Sequence, residues 1–266
     1  MAMKAAGKAK TATTAKKGRT APGMTFPEVM SALEKAGAEK TRQTYARHGA
    51  VGPMFGVAFG MLQQLRKRIG VDQALAMRLW ETGNFDARNL AFKIVDPAAL
   101  TAADLDRWAR DTSMRMLGVY VGAVAVEGPH AGAKSREWLA SKDERLRRAG
   151  WLLAAAQAMR DPSLPDSRFS DLLGRIEREI GAAPSAEKDA MAQALIAIGG
   201  RSAALRKSVL TAAKRIGPIE VDRGDTACKG PDPAEQLAKY WKYSEAGGFA
   251  SPAAREQRMD SPRIRC

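Results

Sequence analysis

The side chains best suited to chemistry in this chain are its arginines. Arg88, Arg115, Arg147/Arg148 and Arg206/Lys207 each follow a short polar turn and precede an apolar-periodic stretch. Guanidinium groups at such positions suit the gripping of a polyanion, because their fork of donors matches a phosphate. Groups for covalent or metal chemistry are scarce. The cysteines, Cys228 and Cys266, and the histidines, His48 and His130, stand at no metal-ligand spacing. No metal and no cofactor is expected. Cys228 lies near Lys229, and a nearby ammonium lowers a thiol pKa, but a bystander role is the expectation. No Gly-rich phosphate loop, HExxH, GxSxG or CxxC pattern occurs. Two cysteines exclude a disulfide framework and favour a reducing compartment.

Charge points the same way as the arginines. The 266 residues carry 43 Lys+Arg against 29 Asp+Glu, a formal net charge of +14. That excess favours nucleic acid first and an anionic membrane surface second. Six of the basic residues, Lys4, Lys8, Lys10, Lys16, Lys17 and Arg19, fall in the first 22 positions, with no acid among them. Residues 1–24 therefore read as a disordered basic arm. It is either a phosphate-tracking arm or a solubilising tail. The longest apolar run, Met116 to Val126, has 11 residues, whereas a membrane span needs about 20. The N-terminus has no apolar stretch like that of a secretory signal. The expectation is a soluble bacterial protein of the cytosol or nucleoid, away from the membrane and monomeric.

The elements that must position these arginines read as helices. Ala87, Leu90, Ala91, Ile94 and Val95 make one helical stripe, as do Met191, Ala194, Leu195 and Ile198. Leu205, Val209, Ala212, Ala213 and Ile216 form another, and Leu146, Ala149, Leu153 and Ala156 a fourth. Pro97, Pro129 and Pro162 recur at intervals of 32 and 33 residues, and Pro184 to Pro218 at 34. A proline ends a helix, and such a period in a helical chain predicts stacked helical hairpins. The fold class is therefore all-α, a helical-repeat solenoid of antiparallel helix pairs over residues 25–217, with an irregular bundle as the alternative. Residues 218–266 form a C-terminal extension, with a short helix from Pro233 to about Tyr243 and a loose tail over 244–266. In a solenoid, equivalent positions project onto one face, so the arginine row predicts a basic concave groove. Surface charges paired with acids such as Asp86 and Glu144 are the plainer alternative. Trp80, Trp108, Trp138 and Trp151, beside apolar positions, are expected in the core.

Several segments resemble a known family. They include Arg47-His48-Gly49-Ala50-Val51, Phe55-Gly56-Val57 and Leu65-Arg66-Lys67-Arg68-Ile69-Gly70. The most specific are Leu79-Trp80-Glu81-Thr82-Gly83-Asn84-Phe85-Asp86-Ala87-Arg88 and Arg147-Arg148-Ala149-Gly150-Trp151. Together with Asp106-Arg107-Trp108-Ala109-Arg110-Asp111, Glu137-Trp138-Leu139 and Ile198-Gly199 to Arg201, they resemble the DNA alkylation repair family of HEAT-like-repeat proteins, the AlkD-like superfamily. The likeness covers roughly residues 40–217. It implies a curved stack of helix pairs holding duplex DNA on a basic concave face, and excision of cationic alkylated purines. That chemistry needs a carboxylate and aromatic faces to stabilise a developing oxocarbenium ion.

The chain departs from the family at those groups. Where the family has Trp-Asp-x-x-Asp, an ungapped reading puts Arg115 at the aromatic position and Val119 at the catalytic acid. Gln193 stands at the family's other cleft Trp. Arg148 survives and is expected at the DNA backbone. Nearby Asp111 or Glu127 could replace the acid, although Asp111 reads as a structural cap. The sequence thus predicts a protein that grips duplex, alkylated or distorted DNA through Arg88, Arg115, Arg147, Arg148, Arg201, Arg206 and Lys207, with weak or no excision. The alternatives are an active alkylpurine DNA glycosylase of base excision repair and a protein-binding HEAT-repeat scaffold.

Overall fold

A computed structural model describes residues 23–112, 115–222 and 230–265. The basic arm to residue 22 and the segment around Cys228 lie outside the described residues. Among those described, the chain forms fourteen α-helices, one 3-10 turn and no strand. Helices α1 (Phe26–Lys35), α2 (Glu39–Arg47) and α3 (Phe59–Ile69) form the N-terminal end. Five helix pairs follow. They are α4 (Gln73–Glu81) with α5 (Phe85–Ile94), α6 (Ala102–Asp111) with α7 (Arg115–Glu127), and α8 (Ala131–Leu139) with α9 (Glu144–Arg160). The last two are α10 (Asp166–Glu179) with α11 (Ser185–Gly199), and α12 (Ala203–Ile216) with α13 (Pro233–Ala246). A short α14 (Pro252–Glu256) and a tail to residue 265 close the chain.

The prolines explain the rhythm. Pro97, Pro129 and Pro162 stand between successive pairs, after α5, α7 and α9. Pro184 differs, because it is the N-cap residue of α11 inside a pair. Within pairs the turns are capped by polar side chains. Asn84 accepts from the amides of Asp86 and Ala87 to start α5, and Asp143 accepts from the Arg145 amide to start α9, each satisfying orphan donors of the first turn.

The pairs make two layers of a HEAT-like solenoid. Odd-numbered helices α7, α9 and α11 pack directly on one another, more closely than the even-numbered ones do, so the stack curves with the odd row inside. α9 buries Leu146, Trp151, Leu152, Leu153 and Ala158 around much of its circumference, whereas α6 buries one stripe, Leu105, Trp108 and Ala109. Close approach needs glycine. A Cβ at Gly122 of α7 would stand 2.5 Å from the Leu152 carbonyl of α9. All four tryptophans expected in the core are there. Trp80 and Trp108 stack at 4.1 Å and 7°.

The C-terminal tail is not loose. Ser251, Pro252, Ala253, Ser261 and Arg263 are buried. Arg263 donates to the carbonyls of Phe92 (2.7 Å) and Val95 (3.3 Å) at the end of α5, and pairs with Glu127 at 2.9 Å. Lys93 donates to the Arg263 carbonyl at 2.9 Å, and Gln63 to that of Ile264 at 2.7 Å. The segment straps the inner row from α9 back to α3. It has no periodic apolar stripe because hydrogen bonds to backbone hold it, and so the sequence reads as loose.

Candidate nucleic-acid interface

The most specific family-like segment turns out to be architectural. Thr82, Gly83 and Asn84 make the α4–α5 turn, Gly83 with φ +66°. Asp86 is fully buried and accepts from the amides of Phe55 (2.7 Å), Gly56 (3.0 Å) and Val57 (2.9 Å). It therefore fixes the loop before α3 and does not pair with an arginine. In the second segment, a Cβ at Gly150 would stand 2.8 Å from the Leu139 amide nitrogen, so this glycine sets the α8–α9 approach.

The arginines separate into different environments. Arg88 turns to α6, donating to the Asp111 carboxylate at 3.0 Å and lying 5.0 Å over the Trp80 ring. Asp111 also accepts from Trp80 Nε1 at 3.1 Å. Its role is this side-chain link between α4, α5 and α6, rather than a helix cap. Arg147 binds Glu187 of α11 through Nε and Nη2, and this hydrogen-bonded carboxylate pushes the guanidinium pKa up. Arg148 donates to the Thr112 carbonyl at 3.0 Å. Burial pushes its pKa down, against the pull of Asp189 and with that of Arg115. A Cβ at Gly118 would stand 3.0 Å from Arg148 Nη2, so the glycine makes room for that group.

Arg201 corrects the predicted groove. Its side chain is 8% exposed. It pairs with Asp166 and donates to the carbonyls of Ala158, Asp161 and Leu164. These bonds clamp the α9–α10 connection and hold the guanidinium buried, away from a phosphate. Arg206 lies 4.8 Å over Trp241 and 3.8 Å from Glu245, and Lys207 is exposed beside it on α12, in the even-numbered row. The row is thus split between layers.

Arg115, Val119 and Gln193, which the ungapped reading of the sequence set against the family's cleft aromatic, acid and second aromatic, do come together. All three line one half-open cavity of 440 Å³ on the inner face of α7, α9 and α11. Arg115 is half exposed and donates from Nε to Asp189 Oδ2 at 2.7 Å. The opposite wall is the C-terminal extension: Tyr240 of α13, Arg255 and Glu256 of α14, and Arg265 of the tail. Arg160 and Arg265 share Glu256, at 3.0 and 2.7 Å. Sequence reasoning missed Arg160, Arg255 and Arg265. Arg255 and Arg265 lie in the Arg-rich C-terminal segment, and Arg160 ends α9 with no signal of its own. The cavity's cations outnumber its acids, and Val119 offers no carboxylate to stabilise a cation. Among the described residues no group of His, Cys, Asp and Glu could hold a metal ion, and no helix is long and apolar enough to cross a membrane.

A two-layered HEAT-like stack with this inner cavity defines the class of protein. The profile of the DNA alkylation repair enzyme family matches residues 29–218, and the chain belongs to that family. A solved structure described as "a new family of proteins related to the HEAT-like repeat DNA glycosylases with affinity for branched DNA structures" is 32% identical, with TM-score 0.76 over 86% of this chain and 98% of that one. Two uncharacterized proteins, Lmo0209 of Listeria monocytogenes and Lin0241 of Listeria innocua, are each 22% identical over 222 residues, 81% of this chain and 97% of theirs.

Proposed function

We propose that this protein binds DNA, duplex and structurally distorted or branched, through its phosphates, and does not excise cationic alkylpurines by the family's mechanism. The observation that carries this reading is the cleft itself. Arg115, Arg160, Arg255 and Arg265 line it, and Val119, set against the family's acid by the ungapped reading, lines it too. A cationic base would meet repulsion there, while phosphate would meet donors. Asp189, the nearest carboxylate on α11, is already neutralised by Arg115. The affinity of the solved relative for branched DNA structures supports including junctions among the substrates. The cationic lining also favours DNA over a protein ligand on the inner face. The protein acts as a monomer in the bacterial cytosol or nucleoid, with Arg88, Arg147, Arg148, Arg206, Lys207 and the basic arm contributing field more than contacts.

A purified-protein assay tests both halves. Duplex and four-way-junction DNA should be retained at low salt, with affinity falling steeply as salt rises, because phosphate neutralisation releases counterions. Methylated DNA should release no 3-methyladenine or 7-methylguanine above a buffer control. Release above control would instead establish a glycosylase working without the family's carboxylate.

A further inference from the structure

The helix pairs alone would leave an open groove; the C-terminal extension turns part of it into a pocket. Its 440 Å³ lies within the range of about 300–1,000 Å³ typical of small-ligand sites. The floor is apolar: Val119, Leu152, Ala156 and Ile196. The rim is cationic, and part of its capacity is unused. Arg115 engages Asp189 through Nε alone, and Arg255 makes no side-chain hydrogen bond or ion pair among the described residues. Gln236 lines the cavity with its amide likewise without a partner among the described residues, and Gln193 commits only its NH₂ group, to Asp189. Tyr240, 45% exposed, stands at the wall.

Each feature matches part of one ligand chemistry. A flat apolar floor with an aromatic beside it takes a planar ring. Carboxamides read the donors and acceptors on a ring edge. Free guanidinium groups take a phosphate. An acyl chain would leave the amides unmatched, and a stacked base pair could not enter. We propose that this cavity is a nucleotide site, holding one nucleoside monophosphate with its base on the Val119–Ile196 floor and its phosphate at Arg115 and Arg255. The nucleotide is either free or a single unpaired residue of bound DNA. The second source rests on the function proposed above; the first does not.

Two arms separate these sources. In the first, dAMP and deoxyadenosine are titrated calorimetrically into the full chain. dAMP should bind, and deoxyadenosine about tenfold more weakly or worse, since one charge-assisted contact is worth about that factor. Arg255→Ala should weaken dAMP about tenfold on the same ground. Ala156→Phe, which fills the floor, should abolish binding with melting temperature unchanged. In the second arm, a duplex carrying one unpaired 2-aminopurine is bound to wild type and to Ala156→Phe. An emission change in wild type alone, at protein concentrations that saturate the duplex in both cases, assigns the site to DNA. dAMP binding without that change assigns it to the free nucleotide. If no DNA is bound while dAMP binding depends on Ala156 and Arg255, the DNA-binding reading fails and the nucleotide site stands. Failure of dAMP to bind, or equal binding by Ala156→Phe, together with identical 2-aminopurine emission in both proteins, overturns the proposal.

Discussion

Arg115 of α7 reaches past α9 to Asp189 of α11, Nε to Oδ2 at 2.7 Å. The carboxylate is 8% exposed and also accepts from Gln193 at 2.7 Å. One carboxylate thus ties together Arg115, by an ion pair, and Gln193, by a hydrogen bond, two of the three residues set against the family's cleft groups. It also places a negative charge against one of the cavity's cations. Asp189→Asn removes that charge while keeping an acceptor. DNA affinity should rise, and the dependence of log K on log salt should steepen by about one as Arg115 becomes available to phosphate. Anisotropy titrations over a range of potassium chloride concentrations measure both. An unchanged slope would put Arg115 away from the backbone.

The strap makes a second prediction. Arg263 is 8% exposed, caps two α5 carbonyls and neutralises Glu127. Arg263→Ala leaves a shielded carboxylate and two carbonyls without their donor. The expected loss is about 3 kcal/mol in urea unfolding, the size seen when one partner of a buried pair is removed. A loss within error would mean the tail is only laid on the surface.

Glycine at the inner seam is required by space rather than by backbone conformation. Gly122→Ala forces a methyl to within 2.5 Å of the Leu152 carbonyl, so α7 and α9 must separate. The expected cost is about 1–3 kcal/mol. Gly60, in α3, has nothing within 4 Å of an added Cβ, and Gly60→Ala should stabilise by about 0.5–1 kcal/mol. Opposite signs for two identical substitutions, read by thermal melting, are the check.

Acid should destabilise the fold through its helix starts. Hydrogen bonding by Arg110 holds the Asp143 carboxyl below its usual value, and Ser202, then Arg201, do the same for Asp166. A carboxyl whose pKa is lower folded than unfolded stabilises fully above the unfolded value, about 4. That stability is lost as pH falls through the folded value. Melting temperature should therefore stay flat from about pH 7 to 5 and drop below about pH 4. Asp143→Asn should flatten part of that drop.

Much of the helical frame was legible because burial imposes a period. The stripe Ala87, Leu90, Ala91, Ile94 and Val95 is wholly buried. Ala156, at the end of another stripe, instead faces the cavity. The sequence also singled out Arg115, Val119 and Gln193 together, and the three share one cavity. The arginine row was not. A guanidinium serves a phosphate or a set of backbone carbonyls equally well, and residue type does not say which. Arg201 satisfies the exposed carbonyls of a turn whose course depends on how α10 packs. The strap was missed for a related reason, since bonds to main chain carry no sequence signature.

Stacked repeats ordinarily touch only their neighbours, and their folding can start anywhere and spread. Here the bond from Gln63 to Ile264 joins residues 201 apart, and Arg263 reaches back 171 to Phe92. These contacts tie a spring's last coil to its first. They raise the contact order of a repeat protein, which slows the closing step. On the ribosome, the helix pairs fold as they emerge, but the strap closes only after residues 252–265 have emerged. The cavity therefore forms after the helix pairs, and a chain cut short before Pro252 keeps the coil and loses the pocket.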